Sequence, residues 1–318
     1  MRAVWLQRFG RAEELVAGDA PDPVPGDGQA LIEVAFASIT FVETQFRATG
    51  AGPFKGELPL ILGNGVGGVV HAVGPGAGAD LVGRRVISAT GGAGGYAELV
   101  AVDAGGMFEV PAGMALDVAA ALLADGRTAC MLVARAGIVA GERVLVEAAA
   151  GGVGTLLVQL ARTGGATVVA AAGGERKLAL ARVLGADLTV DYREEGWTAR
   201  VGHVDVVLDG VGGTIGRAAF ELLAPGGRLL RFGVAGGGWT SVSDAEAAAR
   251  HVTLMPAFGA PAEMRGFTER ALAEAAAGRL RPVIGQRFPL DRAADAHAAI
   301  ESRATIGKTL LEVTPLRE

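Results

Sequence analysis

The stretch that covers residues 143–177 constrains the fold of this chain more than any other. Residues 144–146 form a short aliphatic run, which is typical of a strand buried in a parallel sheet. Three glycines follow closely, at positions 151, 152 and 154. Beyond them apolar residues recur at helical spacing, at positions 153, 156, 157 and 160. A second aliphatic run follows at residues 167–172, so the stretch predicts a βαβ unit of the dinucleotide-binding type.

The glycines of this unit have a physical role. Gly151 has no Cβ, so the backbone can approach a pyrophosphate closely, and Gly154 lets the helix pack tightly on the strand. The N-terminus of the helix offers unpaired N–H groups and a partial positive charge to the phosphates. Ala149 replaces the usual first glycine, which leaves the fingerprint A-x-G-x-x-G. The alternative is a plain tight turn, but the position between a strand and a periodic helix favours nucleotide binding.

The end of the second strand indicates which dinucleotide binds. An NAD site normally places Asp or Glu there, to hold the ribose 2′-hydroxyl. Here the strand ends in Gly173 and Gly174, and Glu175 is followed at once by Arg176 and Lys177. Small residues and two cations accommodate a 2′-phosphate, so NADPH is the predicted cofactor. The alternative is that residues 175–177 are only the solvated first turn of the next helix.

Composition limits the class of protein. Half of the 318 residues are hydrophobic, which is enough for a substantial core, and the formal net charge of −5 does not favour nucleic acid or an anionic membrane as the main partner. The single cysteine, Cys130, excludes an internal disulfide and suits a reducing compartment. No leader-like run or membrane-length apolar stretch is evident, so we expect a soluble, cytoplasmic protein.

The remaining pattern predicts an α/β fold, a doubly wound parallel Rossmann sheet joined to a β-rich domain. Short strands and turns fill the first part of the chain, and alternating strands and helices follow the glycine turn. Asp117 reads as the N-cap of a helix over residues 118–123, with a second helix over residues 127–136. The pattern divides the chain into a β-rich region over residues 1–115, a dinucleotide-binding domain over residues 116–260, and a region of mixed structure over residues 261–318.

A set of motifs runs in a fixed order along almost the whole chain. It comprises Gly95-Tyr-Ala-Glu98, Ala148-Ala-Ala-Gly-Gly-Val-Gly154, Gly173-Gly-Glu-Arg-Lys177, Leu184-Gly-Ala-Asp187, Asp191-Tyr192, and Ala296-His297 to Gly307-Lys308. This set resembles the zinc-independent quinone oxidoreductases, the zeta-crystallin-like branch of the medium-chain dehydrogenases/reductases. The resemblance implies a GroES-like catalytic domain, formed by residues 1–115 and 261–318 at the two ends of the chain, around the Rossmann domain. It also implies an active site in the cleft, NADPH as hydride donor, and a homodimer. The cofactor-binding residues that we expect are Ala150, Gly151, Gly152, Val153, Gly173, Lys177, Tyr192 and Gly233.

The residues at the expected active site indicate chemistry without zinc. Where zinc-dependent relatives place Cys and His ligands, this chain has Thr40, Asn64-Gly65 and Asp125, which make a poor zinc site. Reduction of a quinone or an α,β-unsaturated carbonyl fits, because hydride then adds to an acceptor that is already polarised. The alternative function is an NADPH-binding sensor or crystallin-like protein with little activity; a zinc-dependent alcohol dehydrogenase fits poorly.

The sequence also departs from the resembling family within the cleft. Its Asn-x-x-Asp appears as Thr40-Phe-Val-Glu43, a common tyrosine is Gln45, and the usual Glu after Asn64 is Gly65. No proton donor is evident from these residues. Thr40 and Asp125 are the catalytic candidates, although a structural hydrogen-bonding or helix-capping role suits Asp125 equally. Tyr96 reads as a core residue and Cys130 as a buried one.

Overall fold

The computed structural model describes residues 1–256 and 261–314, and the chain divides into two compact units. The first unit comprises Met1–Ala124 and Val283–Glu318, and the second comprises Asp125–Pro282. Along the described residues no helix is both long and apolar enough to cross a membrane.

Strands predominate up to residue 109, and strands and helices alternate from residue 143 onward. The strands are β1 (Arg2–Leu6), β2 (Leu15–Asp19), β3 (Gln29–Ile39), β4 (Leu60–Ile61), β5 (Gly65–Val73), β6 (Arg85–Ala89), β7 (Leu99–Asp103), β8 (Phe108–Glu109), β9 (Arg143–Glu147), β10 (Thr167–Ala172), β11 (Leu188–Asp191), β12 (Val204–Asp209), β13 (Leu223–Arg231), β14 (Thr253–Met255), β15 (Ile284–Pro289) and β16 (Lys308–Glu312). The α-helices are α1 (Phe41–Thr49), α2 (Leu116–Ala136), α3 (Gly152–Thr163), α4 (Glu175–Val183), α5 (Trp197–Val201), α6 (Gly213–Glu221), α7 (Asp244–Ala249), α8 (Pro261–Ala276) and α9 (Ala293–Glu301).

The first unit is β-rich, as the sequence predicts. Its larger sheet has seven strands, in the order β15-β16-β3-β5-β6-β8 with β7 also paired to β3. A smaller sheet has the order β2-β1-β4. The long strand β3 organises the larger sheet, because it pairs with β5, β7 and β16. Its apolar side chains, among them Ile32 and Val34, enter a core that also holds Tyr96.

The second unit confirms the predicted doubly wound sheet. Its six strands are parallel, in the order β11-β10-β9-β12-β13-β14. The chain starts at β9 in the middle, moves outward through β10 and β11, and then returns to β12 on the other side. Because all the strands are parallel, their carboxyl ends lie along one edge of the sheet. Ligands of such sheets bind at this edge, close to the point where the winding direction reverses.

One helix replaces the two helices predicted before the dinucleotide unit. Leu116–Ala136 is continuous, so Asp117 lies in its first turn and is not its N-cap. Gly126 weakens the local helix propensity but does not end the helix. The reason is burial, since residues before and after Gly126 are almost fully excluded from solvent, among them Leu122 and Leu132. Tertiary packing therefore overrides the local signal on which the prediction of two helices rested.

The units divide at positions other than the predicted domain boundaries. The first division lies between Ala124 and Asp125, within α2, where the sequence suggested residues 115 and 116. The second lies after Pro282, because α8 belongs with the dinucleotide-binding unit. Glu263 of α8 forms an ion pair with Arg135 at 2.7 Å. The predicted boundary at residue 260 lies outside the described residues.

Candidate functional site

The structure brings the predicted cofactor-binding positions to one edge of the parallel sheet. Each follows the carboxyl end of a strand or opens the next helix. Along the sheet these positions are Tyr192 after β11, Gly173 and Lys177 after β10, Ala150, Gly151, Gly152 and Val153 after β9, and Gly233 after β13. The arrangement follows from the parallel topology and matches the place where open α/β sheets bind dinucleotides.

The turn after β9 has the geometry of a phosphate cradle. Ala148 adopts a left-handed backbone with a φ of 48°. Its carbonyl oxygen accepts a hydrogen bond from the Gly151 N–H at 2.8 Å. A Cβ at Gly154 would overlap that carbonyl group, so only glycine fits there. Gly151 is the N-cap of α3 and supplies no side-chain cap, so the first N–H groups of the helix can meet an anion. The cradle fits a dinucleotide pyrophosphate.

Asp125 lies against the start of this helix. Its side chain is buried, and a Cβ at Gly152 would overlap its carboxylate. Asp125 lies within α2, so it does not cap that helix. A carboxylate beside the N-terminus of α3 complements the helix dipole, which favours a structural role.

Two residues that were not among the expected cofactor-binding residues lie at the carboxyl end of β10. Asp191, the last residue of β11, accepts a hydrogen bond from the Gly174 N–H at 2.8 Å. Arg193 forms an ion pair with Asp191, with Nη2 at 2.6 Å from Oδ2. The hydrogen bonds from Arg193 are the main cause that lowers the pKa of the Asp191 carboxyl to about 2. The signal in the sequence was the position of Asp191-Tyr-Arg193 at the end of a strand beside β10.

The loops after β12 and β13 are held together by buried polar groups. Asp209 accepts hydrogen bonds from the N–H groups of Val211 at 3.0 Å and Gly212 at 2.7 Å, and from the Thr240 hydroxyl. A Cβ at Gly233 would overlap the carbonyl of Gly210, so these loops approach more closely than any other residue type allows. The position of Gly233 is thus fixed by the packing of its backbone.

Glu147 lies on the neighbouring strand β9 and is fully buried. Burial raises the pKa of the Glu147 carboxyl well above its usual value, and the nearby Asp209 carboxylate raises it further. The pair therefore places two carboxyl groups side by side inside the sheet, and the raised pKa favours the protonated form of Glu147. Sequence reasoning missed it, because a single acid at the end of a strand gives no sign of a partner on another strand.

In the first unit, Thr40 and Glu43 form a hydrogen-bonded pair at the start of α1. Both the backbone N–H and the hydroxyl of Thr40 donate to Glu43 Oε2, at 2.6 and 2.7 Å. The N–H of Asn64 donates to Glu43 Oε1 at 2.9 Å. Glu43 is fully buried, and burial is the main cause that raises the pKa of its carboxyl. The arrangement closes the first turn of the helix and points the Thr40 hydroxyl proton at the buried Glu43 carboxyl group.

Tyr96 is a core residue, as expected. Its side chain is fully buried, and its hydroxyl oxygen lies 3.0 Å from His297 Nε2. Burial raises the pKa of Tyr96 well above its usual value, and the charge of Glu43 raises it further. Burial, with the charge of Arg47, lowers the pKa of His297 to about 3. Both rings are therefore neutral at physiological pH.

Packing explains why Gly65 stands where a glutamate is usual. A Cβ at this position would lie 2.5 Å from Ser38 Oγ and 3.2 Å from Leu123 Cδ2. No larger side chain fits without movement of these neighbours. The glycine is thus part of the core beneath β5 and supplies no functional group.

The residues at the zinc-ligand positions do not fit a zinc ion. The Thr40 hydroxyl is engaged with Glu43, and neither a hydroxyl nor an amide is a good zinc ligand. Across residues 1–256 and 261–314, no three His, Cys, Asp or Glu side chains cluster as metal ligands. Cys130 is buried, and its burial raises the pKa of the thiol to about 11, so the thiol is not a ready metal ligand.

Comparison with known proteins agrees with this architecture. Residues 26–112 match the family described as alcohol dehydrogenase GroES-like domain, and residues 184–311 match the family described as zinc-binding dehydrogenase. The chain is 32% identical to the quinone oxidoreductase of Pseudomonas aeruginosa, over 98% of this chain and 99% of that protein. It is 30% identical to human quinone oxidoreductase, over 98% of this chain and 97% of the relative.

A solved structure with a bound cofactor is also similar. The quinone oxidoreductase of Escherichia coli, in complex with NADPH, superposes with a TM-score of 0.89 at 28% identity, and the match covers 98% of this chain and 100% of that one. The β-rich first unit is thus GroES-like and the second is a Rossmann domain. On these grounds the chain is a member of the quinone oxidoreductase family, in the zeta-crystallin-like branch of the medium-chain dehydrogenases/reductases.

Proposed function

We propose that this protein transfers a hydride from NADPH to a quinone or to an α,β-unsaturated carbonyl compound. The observation that carries the proposal is the glycine turn after β9, where Gly151 leaves the N-terminus of α3 without a side-chain cap. Such a terminus binds the pyrophosphate of a dinucleotide. The relatives reported above are quinone oxidoreductases, and the one from E. coli was solved with NADPH.

When bound, NADPH would supply the hydride, and residues of this chain would hold the cofactor in place. Backbone N–H groups of residues 151–153 bind the pyrophosphate. Gly173, Lys177 and Tyr192 surround the 2′-phosphate, and Gly233 lies on the nicotinamide side. The charge of Lys177 favours the phosphorylated cofactor, because an ammonium group stabilises a phosphate and has no such partner in NADH.

The reaction proceeds without zinc in this proposal, and Thr40 does not act as the proton donor. The hydroxyl of Thr40 donates to Glu43, so its oxygen can accept a hydrogen bond from water or from the hydroxyl of a reduced product, but its proton is already engaged. The proton that follows the hydride then comes from solvent. Substrate specificity depends on positioning and on exclusion of bulk water, which are the usual protein contributions to hydride transfer.

The same reasoning extends to assembly and location. We propose a homodimer, since the edge strand β14 pairs with β13 alone in the described chain and offers its other side to a second copy. A cytoplasmic location is proposed from the single cysteine, which suits a reducing compartment. The alternative function, an NADPH-binding sensor or crystallin-like protein with little activity, is favoured by one observation. Thr40 closes the first turn of α1 and Gly65 is required by packing, so both residues have structural roles.

Turnover distinguishes the two functions. NADPH oxidation would be followed at 340 nm after addition of a naphthoquinone or an enone to protein treated with a chelator. The proposal expects consumption of NADPH that the chelator does not reduce. Tight NADPH binding without turnover across such acceptors would favour the sensor instead. Activity that disappears with the chelator and returns with zinc would contradict the zinc-free mechanism.

A further inference from the structure

The end of β10 is where a dinucleotide site distinguishes the 2′-hydroxyl from the 2′-phosphate of the adenosine ribose. Gly173 and Gly174 occupy this position and bring no side chain. A carboxylate nevertheless reaches it from the neighbouring strand. Ala172 of β10 and Asp191 of β11 are register partners, and Asp191 Oδ2 accepts the Gly174 N–H at 2.8 Å. The residues at the end of β10 therefore do not by themselves determine the charge at this site, because Asp191 of β11 also contributes.

The Asp191 carboxylate is ionised at every physiological pH, because its hydrogen bonds with Arg193 are the leading cause that holds the pKa at about 2. An uncovered carboxylate at this position favours a ribose with free hydroxyls and repels a 2′-phosphate. Without a neutralising partner, Asp191 would thus select NADH. The identity of the preferred cofactor depends on what covers this group.

Arg193 covers it. The guanidinium reaches both carboxylate oxygens, with Nε 3.0 Å from Oδ1 and Nη2 2.6 Å from Oδ2. The Arg193 backbone N–H adds a further hydrogen bond to Oδ1 at 2.9 Å. Together with the Gly174 N–H, these donors use the acceptor capacity of the carboxylate. Asp191 is then engaged and cannot hold a ribose hydroxyl as the acid of an NAD site does.

The Arg193 side chain also lies over the two glycines. A Cβ at Gly173 would lie 3.1 Å from Arg193 Cδ, and a Cβ at Gly174 would lie 3.0 Å from Nη2. Gly174 has a φ of 96°, which favours glycine in any case. The side chain of Arg193 remains 63% exposed. Its hydrogen bonds in the described chain use the backbone N–H, Nε and Nη2, which leaves Nη1 for an anion.

We propose that Arg193 selects the phosphorylated cofactor, because its guanidinium neutralises Asp191 and binds the 2′-phosphate through Nη1. The inference rests on the proposed NADPH dependence and adds a specificity residue that the motif of the glycine turn does not contain. An arginine suits this double role, since its planar fork can pair with a carboxylate on one side and a phosphate on the other.

The test measures the affinities of NADPH and NADH by nicotinamide fluorescence for the full chain and three variants. Arg193→Ala should weaken NADPH roughly tenfold or more, since one charge-assisted contact to the phosphate is lost, and should leave NADH unchanged or bound more tightly, since Asp191 is then free to hold a ribose hydroxyl. Arg200→Ala is the matched control, because Arg200 is an exposed arginine that pairs with Glu194 at 2.8 Å. It should change neither affinity. Adding Asp191→Asn to Arg193→Ala should restore part of the NADPH affinity, because it removes the uncovered charge.

The outcomes separate this inference from the proposed function. If the unsubstituted chain binds neither dinucleotide, the proposed function fails as well. If it prefers NADPH and Arg193→Ala keeps that preference, or weakens both cofactors equally, only the role of Arg193 is overturned. No recovery in the double variant would overturn the neutralisation of Asp191. Arg193→Lys, which keeps the charge without the fork, gives a second measurement should the alanine variant not fold, and it should still lose NADPH affinity several-fold.

Discussion

Glu147 and Asp209 lie at the carboxyl ends of adjacent parallel strands, and both side chains are fully excluded from solvent. Asp209 accepts hydrogen bonds from the N–H groups of the loop after β12, and burial beside Asp209 raises the pKa of the Glu147 carboxyl. A buried acid of this kind binds its proton more tightly in the folded chain than in the unfolded chain. The stability of the Rossmann domain should therefore depend on the protonation of Glu147.

Glu147→Gln should remove this pH dependence. The folded pKa of Glu147 is raised, so its contribution to stability is fully present below the ordinary glutamate pKa and is lost as the pH rises through the folded pKa. The variant should thus gain stability relative to the parent protein as the pH increases, by up to about 1.4 kcal/mol per pH unit. Urea unfolding from pH 5 to pH 8 would measure this, with Trp197 as the reporter because it packs in a core cluster with Leu145 of β9 and Val207 of β12. The measurement uses a background with Trp5→Phe and Trp239→Phe, so that Trp197 is the one remaining indole in the fluorescence signal. Parallel curves of stability against pH for the two proteins would contradict the prediction.

Gly154→Ala should destabilise the protein and weaken dinucleotide binding together. The added Cβ would overlap the Ala148 carbonyl, and the backbone of the turn must move, at a cost of about 1–3 kcal/mol. Gly266→Ala is the control, since Gly266 lies in α8 and its added Cβ would meet no atom within 4 Å. That change should stabilise the protein by about 0.5–1 kcal/mol. Thermal unfolding and an NADPH titration would report both effects, and equal behaviour of the two variants would refute the argument from close packing.

Lys177→Ala should reduce the preference for NADPH over NADH. Loss of the ammonium group should weaken NADPH roughly tenfold and affect NADH little, because only NADPH carries the 2′-phosphate. Lys55→Ala makes the same change of charge at an exposed position of the first unit and serves as control. Competition between the two cofactors, followed by fluorescence, measures the ratio. An unchanged ratio in Lys177→Ala would move the phosphate site away from α4.

Tyr96→Phe should destabilise the GroES-like domain without changing cofactor affinity. The substitution leaves His297 Nε2 buried without its partner at 3.0 Å, at an expected cost of about 1–3 kcal/mol. Denaturant unfolding would measure the loss, and the NADPH titration would show that the second unit is intact. A variant as stable as the parent protein would mean that the Tyr96 hydroxyl contributes nothing net to this core.

Helix α2 shows where local reasoning fails. The N-cap signal of Asp117 and the local sequence pattern predicted two helices, over residues 118–123 and 127–136. Burial of the residues on both sides of Gly126 produced one helix instead. Contacts such as that of Arg135 with Glu263 join elements that are distant in sequence, and local patterns do not reveal them.

The amino-acid sequence by itself determined the dinucleotide unit, because strand, glycine turn and helix are neighbours along the chain and each is specified by local periodicity. It also placed Gly151, Gly173 and Lys177 at a common edge, because parallel strands align their carboxyl ends. Only the tertiary structure decided which distant groups meet there. Asp191 with Arg193 covers the end of β10, and Glu147 meets Asp209 inside the sheet. Those contacts depend on strand order and register, which hydrophobic periodicity does not encode.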